Sequence, residues 1–326
     1  MKRLNFMLCA ALAIAGVVAC EEKGPVDFPV VGEIALTGES SNFATSSWYP
    51  EEQLGVFVTS DGVTQANLLY APSETCADNS LLLDPNDPSS KYWMFGDAVG
   101  NVALTAKGEA AGFKKGTHNI YAYSPYVAEA TDETAVPMPD LTNQDNVTFQ
   151  GQTANPAFGF VYAVKEVKEH TSAPVDLGKF TCVTYGLNTG TIEFVGEGAV
   201  GKKMVKLLVT ADKTVAYKNA TFNLVEQKIN GEPTAAVVNT KLEIAENMAF
   251  DMETMSMKAV VGTDGPAMFV IVAPASLDEL ETMKFNFTAV LDDNSEWSVS
   301  DVTPGVLNLG TEKMYTFGGK VILSKK

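Results

Sequence analysis

Two tandem β-sandwiches behind an N-terminal export segment, an all-β fold, are what this chain predicts, on three observations. Almost every periodic stretch alternates apolar and polar residues with the two-residue period of a strand. Gly, Pro, Asn and Asp separate those stretches, as they do in sandwiches. A length of 326 residues also suffices for two domains at ~100–200 residues each. The expected division is 1–19 as a cleaved signal segment, 20–32 as a tether, 33–174 as the first sandwich and 175–326 as the second. The boundary is placed near 170–178, after the polar stretch from Lys165 to Pro174.

The chain opens with Lys2 and Arg3, followed by an apolar run from Phe6 to Ala19. A basic start, an apolar run and a small residue before a break are the marks of a secretory signal. The run covers 14 positions, short of the ~20 residues of a membrane-spanning helix, so it does not persist as an anchor. Val17-Val18-Ala19-Cys20 closes it as a lipobox, in which Cys20 is diacylated and becomes the new N-terminus. An ordinary signal peptide with a chance cysteine is the competing reading; position, flanks and the small Ala19 weigh against it. From Lys23 to Gly32 the chain has two prolines and no helical period, which makes it a spacer.

Strand-like runs follow at Leu54 to Thr59, Asn119 to Ser124, Phe180 to Tyr185, Thr191 to Val195, Met204 to Thr210, Asn219 to Val225, Lys241 to Ala245, Met268 to Ala273 and Met314 to Leu323. The clearest local unit is a hairpin. Phe285, Phe287, Ala289 and Leu291 alternate with polar neighbours, Asp292-Asp293-Asn294-Ser295 supplies the turn, and Trp297 and Val299 resume the alternation. Only Ser276 to Met283 reads as a short helix, with Ser276 as N-cap before Asp278 and Glu279. The Asp84-Pro85-Asn86-Asp87-Pro88 stretch and Val136 to Gln152 read as long polar loops, and no internal repeat is visible.

Loss of Lys2 and Arg3 with the signal segment makes the formal charge of −17 still more negative. Such a surface repels nucleic acid and anionic membranes. Cys9 lies in the discarded segment and Cys20 takes the lipid, which leaves Cys76 and Cys182 at a separation with no metal-ligand spacing. They read as two buried thiols rather than a disulfide. Several spacings imitate binding loops. Gly196-Glu197-Gly198-Ala199-Val200-Gly201-Lys202 fits the start of a phosphate loop, but Lys203 stands where Ser or Thr must hold magnesium, and a strand follows where a helix is needed. It reads as a glycine-rich hairpin turn. Asp292 to Glu296 has the composition of a calcium loop without its glycine or its twelve-residue spacing. His118 and His170 have no carboxylate or cysteine at ligand spacing, and no GxSxG nucleophile turn occurs. The residues therefore point to no catalytic group, no metal site and no cofactor.

Four motifs in sequence order carry a resemblance. They are Trp48-Tyr49-Pro50 leading into Leu54 to Val58; Tyr121-Ala122-Tyr123-Ser124-Pro125-Tyr126; Phe160-Val161-Tyr162-Ala163 after Gln150 and Gln152; and Leu309-Gly310-Thr311-Glu312-Lys313-Met314-Tyr315-Thr316-Phe317. Together with the lipobox they resemble the fimbrillin family, the lipoprotein subunits of type V pili in Bacteroidales. Glu21 and Glu22 likewise resemble the export signal of surface lipoproteins in Bacteroidetes-type bacteria, which implies a surface-exposed position on the outer membrane. Taken as packing alone, Trp48, Tyr121, Tyr123 and Tyr126 are core aromatics rather than a binding platform.

The resemblance implies two transthyretin-like sandwiches, adhesion, and assembly with other fimbrial subunits by strand donation. In that family a protease removes the first strand and a strand from another subunit fills the vacated groove, a form of β-augmentation. Ile34, Ala35, Leu36 and Thr37 are the candidate displaced strand. Met314, Tyr315, Thr316 and Phe317 open the candidate donor, which serves equally well as the last strand of its own domain. One departure matters. Known members are matured at arginine, yet Arg3 is the only arginine here, so either another protease acts or the lipidated N-terminus is retained, as in anchor subunits. The alternative function is a surface glycan-binding or adhesion lipoprotein outside pili, with host or bacterial surface ligands and Tyr92 and Trp93 beside the proline-rich loop as its platform. Cys20→Ala is expected to abolish incorporation of labelled palmitate and to leave a released or uncleaved protein. Undiminished labelling would place the lipid elsewhere.

Overall fold

The computed structural model describes residues 34–39, 48, 52–60, 62–73, 81–84, 87–93, 101–112, 116–144, 158–168, 173–189, 191–195, 197–199, 202–239, 248–251, 256–259, 269–309, 312–317 and 320–326. Cys20, Cys76, His170 and the expected strand Lys241 to Ala245 lie outside them. The described chain is nearly all β. Its first half contains β1 (Leu36–Glu39), β2 (Leu54–Ser60), β3 (Val63–Pro72), β4 (Leu81–Asp84), β5 (Asp87–Trp93), β6 (Val102–Ala106), β7 (His118–Ser124), β8 (Val136–Pro137), β9 (Asn143–Gln144), β10 (Val161–Val167), β11 (Val175–Lys179) and β12 (Thr181–Cys182). Next come β13 (Tyr185–Asn188), β14 (Thr191–Val195), β15 (Met204–Ala211), β16 (Ala216–Asn223), β17 (Lys228–Thr234), β18 (Ala236–Asn239), β19 (Met248–Asp251), β20 (Ser256–Ala259) and β21 (Phe269–Val272). Helix α1 (Leu277–Leu280) precedes β22 (Phe285–Leu291), β23 (Glu296–Val302), β24 (Gly305–Leu309), β25 (Glu312–Thr316) and β26 (Lys320–Lys325).

The first half is built on one eight-stranded sheet in the order β11-β1-β6-β3-β2-β7-β10-β12. Its ends share a core: Val161 and Ala163 of β10 lie in the same cluster as Leu36 of β1 and Leu177 of β11. The sheet therefore curls over, and its opposite ends form the two layers around Trp48, Val56, Tyr70 and Ile120. In the second half two sheets share one core. Leu187, Val270 and Tyr315 come from the sheet β21-β13-β25-β24, and Leu207, Phe287 and Trp297 from the sheet β14-β26-β23-β22-β15-β18-β9. Phe317 crosses between them, edge-on to Phe285 at 5.4 Å and to Phe287 at 5.0 Å. This is sheet-on-sheet packing with alternate residues turned inward.

The alternating runs mark most strands to within a few residues, and β14 matches its expected span. The β22–β23 hairpin forms as expected, with Asn294 at φ 64 in the turn. Several boundaries differ for identifiable reasons. Phe180 to Tyr185 divides into β12 and β13 because Val183 N and Thr184 N both donate to Phe160 O, while Thr184 Oγ1 accepts from Phe160 N. These bonds turn the chain from one sheet into the next. Met314 to Leu323 divides likewise into β25 and β26, which belong to different sheets. The Gly196 to Lys202 segment closes no hairpin: β14 and β15 are separated by β26, β23 and β22, and a 3₁₀ turn at Glu197–Ala199 spans the gap. Asn219, at φ 50, interrupts the β16–β17 pairing where the register shifts. Helix α1 is a single turn, and Ser276 caps it by extended backbone without a side-chain hydrogen bond.

Two expected loops contain strands. Asp84 and Asp87 pair at the end of the β4–β5 hairpin, so Tyr92 and Trp93 are strand rather than loop residues. The expected loop from Val136 carries β8, paired with β16, and β9, paired with β18. It acts as a strap from the first half onto the second. Buried Gln144 fastens it, its carbonyl oxygen accepting from Ile271 N at 3.0 Å and its amide donating to Ile271 O and to Leu141 O. The expected division at 174–175 falls just before β11, yet β11 and β12 hydrogen-bond into the eight-stranded sheet and Phe180 packs in its core. That sheet holds the chain as far as Cys182.

Both faces of β2 and β7 are buried, and β10 joins them at its start. Val56, Ala122 and Val161 face the first core, while Phe57, Tyr121, Tyr123 and Tyr162 face a second cluster completed by Phe222 and Leu224 of the β16 region. Tyr123 stacks between Phe57 at 6.0 Å and Phe160 at 6.1 Å, and Phe160 meets Phe222 at 5.5 Å. Burial pushes the Tyr123 hydroxyl pKa up to about 12, against hydrogen bonds with Val127 O and Asn67 that favour ionisation. The ring fits because Gly55 sits opposite it in the register; a Cβ there would come within 2.1 Å of the ring. Gly55→Ala is accordingly expected to cost about 1–3 kcal/mol as overpacking and to lower the urea midpoint. An unchanged midpoint would mean that the ring is not held against this backbone.

Candidate functional site: the seat of the first strand

Strand β1 alternates in burial. Ile34 and Leu36 are 3% and 1% exposed and Gly38 is buried, whereas Ala35 is exposed and Thr37 half-buried. The two-residue period places the apolar set in the core and Ala35 and Thr37 outside. Of the four candidate residues, Leu36 and Thr37 belong to β1, while Ile34 and Ala35 lead into it with Ile34 N donating to Ala111 O and Ala35 O accepting from Val175 N. Gly38 is required by the packing: a Cβ there would stand 2.9 Å from the Phe180 ring. Trp48 meets that ring edge-on at 5.1 Å and donates its indole N–H to Gly38 O at 3.4 Å.

The strand is paired on both sides. Leu36, Thr37 and Gly38 oppose Leu104, Ala103 and Val102 of β6 in antiparallel register, and Leu36 and Thr37 oppose Val175 and Asp176 of β11 in parallel. Asp176 helps to set the outer face, its carboxylate accepting from Thr37 Oγ1 at 3.4 Å, Asn101 Nδ2 at 3.1 Å and Gly178 N at 2.8 Å. Sequence reading missed β11 as the partner of β1. The signal that names it, the parallel match of Leu36 to Val175, joins positions more than a hundred residues apart and has no local trace.

The candidate donor is an interior strand of its own half. Tyr315 and Thr316 of β25 oppose Leu187 and Asn188 of β13, and Met314 opposes Leu307 of β24. Tyr315 and Phe317 are both buried, Tyr315 standing edge-on to Tyr185 at 6.4 Å. The candidate displaced strand and the candidate donor thus lie in separate cores.

The imitations of binding loops resolve into structure. Lys202 of the glycine-rich segment pairs with Asp293 of the calcium-like segment, holding that carboxyl well below the ordinary range, while Asp293 also accepts from Ser295 N and Oγ. His118 is fully buried, with Nδ1 2.8 Å from Gly116 O. Trp48, Tyr121 and Tyr123 are core residues, and Tyr126 is half-buried. Cys182 is a half-buried thiol. Among the described residues no group of three His, Cys, Asp or Glu is placed to hold a metal, and no helix is long and apolar enough to cross a membrane.

No family model matches this chain, and no curated protein does. Solved structures similar to it include a candidate cell adhesion protein from Bacteroides uniformis (16% identity, TM-score 0.44, covering 87% of this chain and 96% of that one). A second, from Bacteroides ovatus, shares 12% identity at a TM-score of 0.41 over 90% and 96% of the two chains. A fimbrial protein from Bacteroides vulgatus shares 12% at 0.33 over 89% and 91%. Those proteins are described as cell adhesion and fimbrial proteins. The likenesses are distant, and a function for this chain rests on its own residues.

The register of β1 makes a differential prediction. Leu36→Ala is expected to destabilise by about 2–5 kcal/mol as a core truncation, and Thr37→Ala by less than ~1 kcal/mol at the outer face. Equal losses in urea unfolding would mean that the strand is not seated in this register.

Proposed function

We propose that this chain is a surface lipoprotein of the outer membrane, held by lipid on Cys20 and built into a pilus by strand exchange, where it supports adhesion. The observation that supports this most is the position of β1. It is short, it follows the tether closely in sequence, and it is nevertheless an interior strand hydrogen-bonded on both sides. Its removal would leave a slot between β6 and β11 with unpaired backbone groups on both walls and an apolar floor that includes Leu104 and Phe180. An incoming strand of matching period would satisfy both, whereas a one-residue slip would turn its apolar face outward.

The donor in this reading is the C-terminal segment from Met314, and the recipient slot belongs to a neighbouring subunit. Release of that segment has an opposing cost, since Tyr315 and Phe317 each bury an aromatic side chain in their own core at roughly 1.5–3 kcal/mol apiece. Donation therefore requires that pairing in the slot replace what β25 loses, and it is coupled to assembly. The two halves act as separate units in this scheme, one receiving and the other giving. Because no arginine follows Arg3, maturation uses a protease of other specificity or is omitted in an anchoring subunit.

The test places a specific protease site within residues 40–47, between β1 and Trp48, and follows particle size after cleavage. Polymers are expected, and a synthetic peptide of residues 31–39 should suppress them by refilling the slot. Cleaved protein that sheds β1 and stays monomeric would remove the strand-exchange reading.

A further inference from the structure

Where the first-half sheet meets the β16–β17 hairpin there is an open cleft of about 280 Å³. Three tyrosines from three strands line it: Tyr162 of β10, Tyr185 of β13 and Tyr217 of β16. Gln227, Lys228 and Ser276 complete the polar wall. Gln227 lies in the hairpin turn at φ 54, and Tyr162 donates its hydroxyl to Gln227 Oε1 at 3.1 Å. Tyr162 is braced by Phe222 at 4.8 Å, and Tyr185 donates to Cys182 O at 2.7 Å. Two of the rings are thus fixed by protein contacts. The Tyr217 hydroxyl has no hydrogen-bond partner among the described residues, and burial raises the pKa of all three tyrosines above the ordinary phenol range.

The charge pattern narrows the ligand. No carboxylate lines the cleft, and its one described cation, Lys228, is paired with Glu226. With one cation already paired and no carboxylate in its lining, the cleft favours a neutral ligand over a charged one. The volume lies just under the ~300–1,000 Å³ of small-molecule sites, which excludes a folded peptide. Rigid rings with hydroxyl edges, an amide and an aliphatic hydroxyl offer an apolar face and hydrogen-bonding groups side by side. A sugar ring has the complementary pair, a C–H face and a rim of hydroxyls. We propose that this cleft is a binding site for one neutral saccharide unit, with Tyr162 and Tyr185 as the ring platform and Tyr217 and Gln227 as hydrogen-bonding partners.

The site supplies a ligand for the adhesion part of the preceding reading and is independent of strand exchange, since it is complete in the uncut chain. The test is saturation-transfer NMR on the uncut mature chain in detergent, with methyl glycosides of glucose, galactose, mannose and N-acetylglucosamine, and with glucuronate and glucosamine as charged probes. At least one neutral glycoside is expected to bind, and more tightly than either charged sugar. Tyr217→Phe should raise its Kd about fivefold for one lost hydrogen bond, with Gln227→Ala as a second variant at the same cleft. Absence of binding by all four neutral probes, preference for a charged sugar, or a Kd indifferent to both Tyr217→Phe and Gln227→Ala would overturn the proposal. Polymerisation after cleavage is read separately, so either idea can fail while the other stands.

Discussion

The ring of Tyr123 lying across Gly55 is the contact on which the union of the two halves depends. It allows β2 and β7 to be apolar on both faces, one turned to the first core and the other to the aromatic cluster with Phe57, Phe160 and Phe222. A half-buried antiparallel sheet has one wet face; these strands have none. Their outer face is covered by the strap that carries β8 and β9 and by the β16 region of the second half. Aromatic pairs are favoured beyond their area by edge and face geometry, and here they form a continuous path from Phe57 to Phe222. The strap adds hydrogen bonds to this packing. Glu133 accepts from Thr59 and Thr64 of the β2–β3 hairpin, while its own carbonyl accepts from Leu224 N.

Strand β1 stands apart from this seam, in the part of the eight-stranded sheet furthest from β12. Its backbone pairs with β6 and β11 and Gly38 meets Trp48 and Phe180, none of which belongs to the aromatic path between the halves. That separation is a physical precondition for strand exchange. A strand can be replaced without collapse only if the structure that joins the halves does not run through it.

Opposite charge explains why the ligand-like motifs are structural. Lys202 and Asp293 each sit in a segment that mimics a binding loop, and each supplies the counter-charge of the other. At a partly exposed site such a pair contributes little to stability. It does occupy the groups that a phosphate or a calcium ion would need. The tyrosine cleft is the converse case, with polar atoms, rings and no unpaired charge.

The sequence alone determined the all-β character and the β22–β23 hairpin, because two-residue alternation and turn residues act within a few positions. Tertiary structure alone decided the partner of β1, the extension of the first sheet to Cys182, the division of Met314 to Leu323 between two sheets, and the strap hidden in a polar stretch. Gln144 looks like any loop glutamine until Ile271 is beside it. The tyrosine cleft was equally invisible, since Tyr162, Tyr185 and Tyr217 are ordinary strand aromatics whose convergence depends on how two sheets and a hairpin meet. Local pattern reports which way a side chain points; only long-range pairing, whose closure cost grows slowly with loop length, decides what it meets there.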